Sequence, residues 1–219
     1  MTKTELARIA LPLLLLPVLV HTAIAGDSAI VTLNDFPEYA VTGTHLTLTL
    51  TIRRQDQTPL SGLRPGIRAA TTGGLTANAS VSAGRGRGEY TAALTFPQPG
   101  EWTIKVVSGF NDTTLTLPVL KVIAHGSAAP PPFSPATRGV RLFSTKGCVG
   151  CHRHVEVNPE RATDAKLDLT GKRFPQEYLV KFLADPTIKS PAMPNPELKD
   201  DEIAALAVFI NKLISKTAR

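Results

Sequence analysis

Along the first half of this 219-residue chain, apolar and polar residues alternate; in the second half the apolar residues recur at helical spacing. "HLTLTLTIR" puts Leu46, Leu48, Leu50 and Ile52 on one face and Thr47, Thr49 and Thr51 on the other, the period-two pattern of a half-buried strand. "GEYTAALTF" repeats it with Tyr90, Ala92, Leu94 and Phe96, and "PQPG" (Pro97–Gly100) is turn chemistry leading into "EWTIKVV", with Trp102, Ile104 and Val106 inward. "DTTLTLPVLKVIA" reads as a last strand, and Pro118 inside it indicates an edge or a bulge. Short strands at this spacing predict a β-sandwich. "GRGRG" (Gly84–Gly88) falls between two strand candidates and is expected to be a hairpin loop.

"HGSAAPPPFSPATR" has four prolines, many small residues and no periodicity, so residues 125–137 are expected to be a semi-rigid linker and the first place a protease cuts. Beyond it, Val140 and Phe143 lie at helix spacing. In "PQEYLVKFLAD", Tyr178, Leu179, Phe182 and Leu183 form a helical stripe closed by Pro186. In "DDEIAALAVFINKLISK" the stripe is Ile203, Leu206, Ala207, Ile210, Leu213 and Ile214. Asp200, Asp201 and Glu202 stand at its start and Lys212 and Lys216 near its end, as the helix dipole favours.

Both cysteines of the chain lie in "KGCVGCHRH". Cys148 and Cys151 are two residues apart and His152 follows at once: C-x-x-C-H, the attachment signature of c-type haem. Two thiols at this spacing form thioethers with the porphyrin vinyls, and the adjacent imidazole then meets the iron as proximal ligand. The competing chemistries are weaker. A Cys148–Cys151 disulfide closes too short a loop to stabilise much. Zinc wants about four ligands, and a redox dithiol wants a βαβ context that is not evident.

The amino terminus is consistent with export. Lys3 and Arg8 precede the apolar run "IALPLLLLPVLV", and "AIA" (Ala23–Ala25) supplies small residues for cleavage, so residues 1–25 read as a secretory signal peptide. The run is short of the ~20 residues of a spanning helix and contains Pro12 and Pro17. Export and C-x-x-C-H together point to the periplasm, where nucleic acid is not an expected partner. The formal charge of +6 concentrates in the second half, with 14 Lys and Arg against 10 Asp and Glu from Arg138 to Arg219, compared with 8 against 7 from Gly26 to Thr137. An acidic docking surface on a redox partner protein is therefore expected. Lys146, Arg153 and Lys189 are candidates to line the haem edge.

Two resemblances follow from these residues. Gly139 and Phe143 before C-x-x-C-H, "DLTG" (Asp168–Gly171), "MPNPEL" (Met193–Leu198) and a final helix with "LAVFI" resemble class I cytochrome c domains over about Pro135 to Ala218. The resemblance implies that Gly139 and Phe143 on the first helix cross Phe209 on the last. It also implies His152 as proximal and Met193 as distal iron ligand, with one covalent haem c. Met193 is also the single thioether left once Met1 departs with the signal peptide, and it sits on the proline-flanked loop "SPAMPNP". The family usually has a proline before the "D-L-T" segment, whose carbonyl holds the proximal imidazole; here Leu167 stands there. "GEYTAALTFPQPGEWTIKV" resembles the immunoglobulin-like domains of the YtkA and FixH type, over roughly Ala29 to Ala124.

The expected architecture is thus an all-β immunoglobulin-like sandwich (26–124), a linker (125–137) and an all-α cytochrome c fold (138–219). The expected role is a non-enzymatic periplasmic electron carrier whose sandwich is a docking module. The alternatives are a haem-based sensor or enzyme of small ligands, and an accessory role in respiratory oxidase assembly. Association with a membrane respiratory complex is a further partner expectation. Copper handling is disfavoured: between Gly26 and Ala124 there is one histidine, His45, expected at the surface, and no cysteine or methionine.

Overall fold

A computed structural model describes residues 28–213. The expected signal peptide, Ile214 of the last stripe and Lys216 near its end lie outside the described residues. Among the described residues no helix is long and apolar enough to cross a membrane.

Among the described residues, ten strands form two packed sheets. One sheet has the order β1 (Ala29–Leu33), β3 (His45–Arg54), β7 (Glu89–Thr95), β6 (Ser80–Ala83), all antiparallel. The other runs β2 (Tyr39–Val41), β10 (Leu120–Ile123), β8 (Gly100–Val107), β4 (Gly66–Ala70), β5 (Thr76–Asn78), with β9 (Thr114–Thr116) also on β8; the β2–β10 pair is parallel. The alternation read from the sequence is the sandwich interior. Leu48, Leu50, Ile52, Ala92, Leu94, Phe96, Trp102, Ile104 and Val106 are fully buried, and the Phe96 and Trp102 rings meet edge to face at 5.2 Å. Residues 84–88 are a hairpin loop between β6 and β7. The expected last strand is two, β9 and β10, broken around Pro118, which has no N–H for a ladder. His45 is exposed, as expected.

Three α-helices follow among the described residues: α1 (Pro135–Thr145), α2 (Gln176–Ala184) and α3 (Asp200–Ile210). Ser134 caps α1 by accepting from Thr137 N, and Pro135 occupies its first turn, so the helix takes up the last residues of the expected linker. Gly139 and Phe143 of α1 pack on Ala205 and Phe209 of α3, with the Phe143 and Phe209 rings 5.5 Å apart. α3 stops a turn earlier than its stripe suggests. The Asn211 side chain accepts from Phe174 N and donates to Phe174 O, fixing the chain after Ile210, and Leu213 is 73% exposed rather than buried.

The joint between the halves buries more than its composition suggests. Arg141, on α1, is itself buried. Its guanidinium donates to Val119 O and Pro37 O, each at 2.8 Å, and lies between the rings of Phe36 (4.9 Å) and Phe133 (4.7 Å). Phe133 comes from the linker, and its N–H donates to Glu38. The Lys146 ammonium donates to Asn34 O at 2.7 Å. The exposed Lys199–Asp35 pair adds little beside these. The stretch from His125 to Ala129 stays exposed and is the part still open to a protease.

Candidate functional site

A glycine in the left-handed region, Gly147 (φ 80°), ends α1 and starts a single 3₁₀ turn over Cys148–Gly150. The turn is closed by Cys151 N–H to Cys148 O, and His152 N–H donates to the same carbonyl. C-x-x-C-H is therefore one compact unit directly after the helix. Both cysteines and His152 line one cavity of about 400 Å³. Its walls are Phe143 of α1; Tyr178, Leu179, Phe182 and Leu183 of α2; Leu206 and Ile210 of α3; Leu167 and Leu169; and Met193 with Pro194 and Pro196. The structure thus brings together all four residues singled out from sequence: Cys148, Cys151, His152 and Met193. The Met193 loop is braced by Met193 N–H to Ser190 O at 2.8 Å.

The group that orients His152 is a main-chain carbonyl. Its Nδ1 lies 3.1 Å from Leu167 O, an atom that can only accept, so Nδ1 carries the proton and Nε2 keeps its lone pair. Burial lowers the His152 pKa, outweighing the opposite pull of that hydrogen bond, and the ring is neutral. The departure from the family at Leu167 costs no acceptor, because the acceptor belongs to the backbone of whichever residue stands there. The carbonyl is held in place by neighbours. Arg153 N–H also donates to Leu167 O, Leu169 N–H donates to Arg153 O, and the Arg153 guanidinium pairs with Asp168. Burial pushes Asp168 up, but hydrogen bonds from Thr170 and the Arg153 guanidinium outweigh it and hold the carboxyl below its usual value.

Burial pushes the Cys148 thiol up to about 12 and raises Cys151 as well, against the pull of Arg161. Both remain thiols near neutrality, and they form no disulfide. A redox dithiol needs an attacking thiolate, so this pair is not poised for thiol–disulfide exchange. Paired thiols, a neutral imidazole with a free Nε2, a thioether and an apolar wall fit haem c.

His154 is fully buried, with its ring centroid 4.3 Å from that of Phe209. Burial lowers its pKa and keeps it neutral; Nδ1 accepts from Glu156 N–H, while Nε2 has no hydrogen-bond partner. It packs between α1 and α3, in the helix crossing.

The expected cationic rim is largely absent. Lys146 is buried, in an ion pair at 3.0 Å with buried Glu202 of α3, and Arg153 is committed to Asp168. Of the three, Lys189 is exposed, its ammonium 4.8 Å from the Tyr178 ring centroid. Two contributors were not read from the sequence: Ile30 of β1, which lines the cavity, and Arg141, which bolts the halves together. Their signals are an outward-facing apolar residue in a strand and a cation within a helix, both common enough to pass unnoticed.

Residues 136–213 match the family model described as Cytochrome c, and the carboxy-terminal part of the chain is a helical cytochrome c domain preceded by a β-sandwich. A cytochrome c domain with this cysteine pair implies covalently held haem c and electron transfer. No curated protein matches the chain. Among solved structures it is similar to the surface-layer protein SbsC, domains 1–6 (22% identity, TM-score 0.36, 48% of this chain and 14% of that chain). It is also similar to the Lin-41 filamin domain (13%, TM-score 0.34, 43% and 91%) and to the D00-D0 domain of Intimin (14%, TM-score 0.32, 47% and 51%). The chain thus spans 14% of the surface-layer structure. Likenesses this slight say nothing about activity.

Proposed function

We propose that this chain is an exported, single-haem c-type cytochrome that passes one electron at a time between partner proteins in the periplasm. The observation that carries the reading is the convergence of Cys148, Cys151, His152 and Met193 on one apolar cavity. There Cys148 and Cys151 would hold the porphyrin by thioethers, and His152 and Met193 would be the residues that ligate the iron. When bound, the haem supplies the Fe(II)/Fe(III) couple. The protein's share is to keep His152 neutral and oriented through Leu167 O, to hold the thioether on a proline-stiffened loop, and to exclude water. With His152 and Met193 both used as ligands, the iron would keep no position for a substrate. The partner is expected to be acidic from the net basic charge of the haem half (14 Lys and Arg against 10 Asp and Glu from Arg138 to Arg219) rather than from a cationic rim, and to belong to, or work beside, a membrane respiratory complex. The sandwich, of the YtkA and FixH immunoglobulin-like type in this reading, is part of the docking unit.

The test is covalency. Haem should stay with the polypeptide through acid-acetone extraction and stain a denaturing gel; colour released into the organic phase sinks the reading.

Met193→Ala should keep the covalent haem and lose the axial thioether. The midpoint potential should fall, since His/Met ligation lies above its alternatives. The weak far-red sulfur-to-iron band of the oxidised protein should vanish, and carbon monoxide should bind the reduced form. A wild-type protein that already lacks the band and binds carbon monoxide would instead favour a sensor or enzyme.

A further inference from the structure

β1 reads AIVTL, and its alternation assigns two faces. Ala29, Val31 and Leu33 enter the sandwich core. Ile30 and Thr32 point the other way, to the outer face of the sheet, where an apolar side chain is ordinarily wet. Ile30 is nevertheless only 4% exposed and belongs to neither hydrophobic core. What covers it is the C-x-x-C turn. A Cβ built on Gly147 would lie 2.9 Å from Ile30 Cγ2 and 2.7 Å from Thr32 Cγ2, and one on Gly150 would lie 3.1 Å from Ile30 Cγ1. The two glycines around Cys148 and Val149 let the strand press against the turn, and Val149 packs against both cores. Ile30 also lines the cavity that holds Cys148, Cys151, His152 and Met193.

We infer that Ile30, a residue of the sandwich, is a wall of the haem pocket and a determinant of the reduction potential, so the sandwich is a fixed part of the redox site rather than only a docking module. The inference rests on the haem reading above. Ferric haem carries one more positive charge than ferrous, and water at the haem edge stabilises the more charged form. By excluding water beside the thioether turn, Ile30 favours Fe(II) and raises the potential. Ile30 touches the pocket without ligating iron, so it acts on the couple only through solvation.

The experiment is redox titration of the full-length holoprotein. Ile30→Ser should shift the midpoint potential downward with the absorption spectrum of both oxidation states unchanged, which shows an unaltered ligand set. Ile30→Val should restore the wild-type potential. Thr32→Ser removes the neighbouring methyl from Gly147 without opening the cavity; it should lower stability and leave the potential in place. If Ile30→Ser fails to fold, Ile30→Ala opens the same gap without a buried hydroxyl and should show the same downward shift. A potential indifferent to the Ser and Ala changes, or one that moves equally in Thr32→Ser, overturns the inference. A chain that carries no covalent haem overturns the reading beneath it and the inference with it; a haem-bearing chain whose potential ignores Ile30 overturns the inference alone.

Discussion

Gly139→Ala should lose about 3 kcal/mol of stability, the upper end of what overpacking usually costs. The added Cβ would sit 2.5 Å from Phe209 Cβ and closer still to the Ala205 carbonyl oxygen. Both obstacles are rigid: one is helix backbone, the other the first carbon of a fully buried ring. Relief therefore requires α1 and α3 to move apart, which breaks the Phe143–Phe209 contact and loosens the packing around His154. Helix propensity works the other way, since Ala is better than Gly by about 1 kcal/mol in a helix interior, and the steric term outweighs it. A lower urea midpoint with an unchanged slope is the expected result. An increase in stability would mean that the helices do not cross at Gly139.

The haem-binding motif was legible because its chemistry is local: C-x-x-C-H needs residue types at fixed spacing, and one 3₁₀ turn presents them together. Met193 was legible for a different reason, as a lone thioether on a stiff loop. What stayed hidden depends on main chain or on pairings across long sequence distances. The acceptor for His152 is a carbonyl, which no side-chain pattern reveals, so Leu167 looked like a loss although the bond is made. Lys146 reads from the sequence as a rim cation because its partner, Glu202, is 56 residues away on α3, where it reads as a dipole-favoured acid at a helix start. The long strands β3, β7 and β8 declared themselves by alternation, whereas β2, β5 and β9 are three residues each, too short to show a period. Ile30, an apolar residue on the polar phase of AIVTL, passes unnoticed in the sequence because its meaning needs the other half of the chain in place.

Lys146→Met should cost about 3–5 kcal/mol, the usual loss when one partner of a buried ion pair is removed. The Lys146 and Glu202 side chains are 7% and 5% exposed, so the carboxylate left behind has little water to turn to. Methionine fills much of the same space with an apolar chain, so the loss is chiefly one of charge pairing. Two further contacts go with the ammonium. One is its 2.7 Å hydrogen bond to Asn34 O, which ties the sandwich to the end of α1, and the other is its place in the haem-cavity wall. The haem spectrum and the sandwich–helix contact should therefore be lost together on unfolding, at a lower urea concentration than in the wild type. Adding Glu202→Leu removes the stranded carboxylate and should recover part of the stability. Recovery stays incomplete because Glu202 Oε2 also accepts from Lys199 N–H at the start of α3, a capping bond whose loss typically costs ~1 kcal/mol. If Lys146→Met costs less than about 1 kcal/mol, the pair behaves like an exposed surface bridge, and the two halves are held together mainly by Arg141 and the Ile30 contact with the C-x-x-C turn.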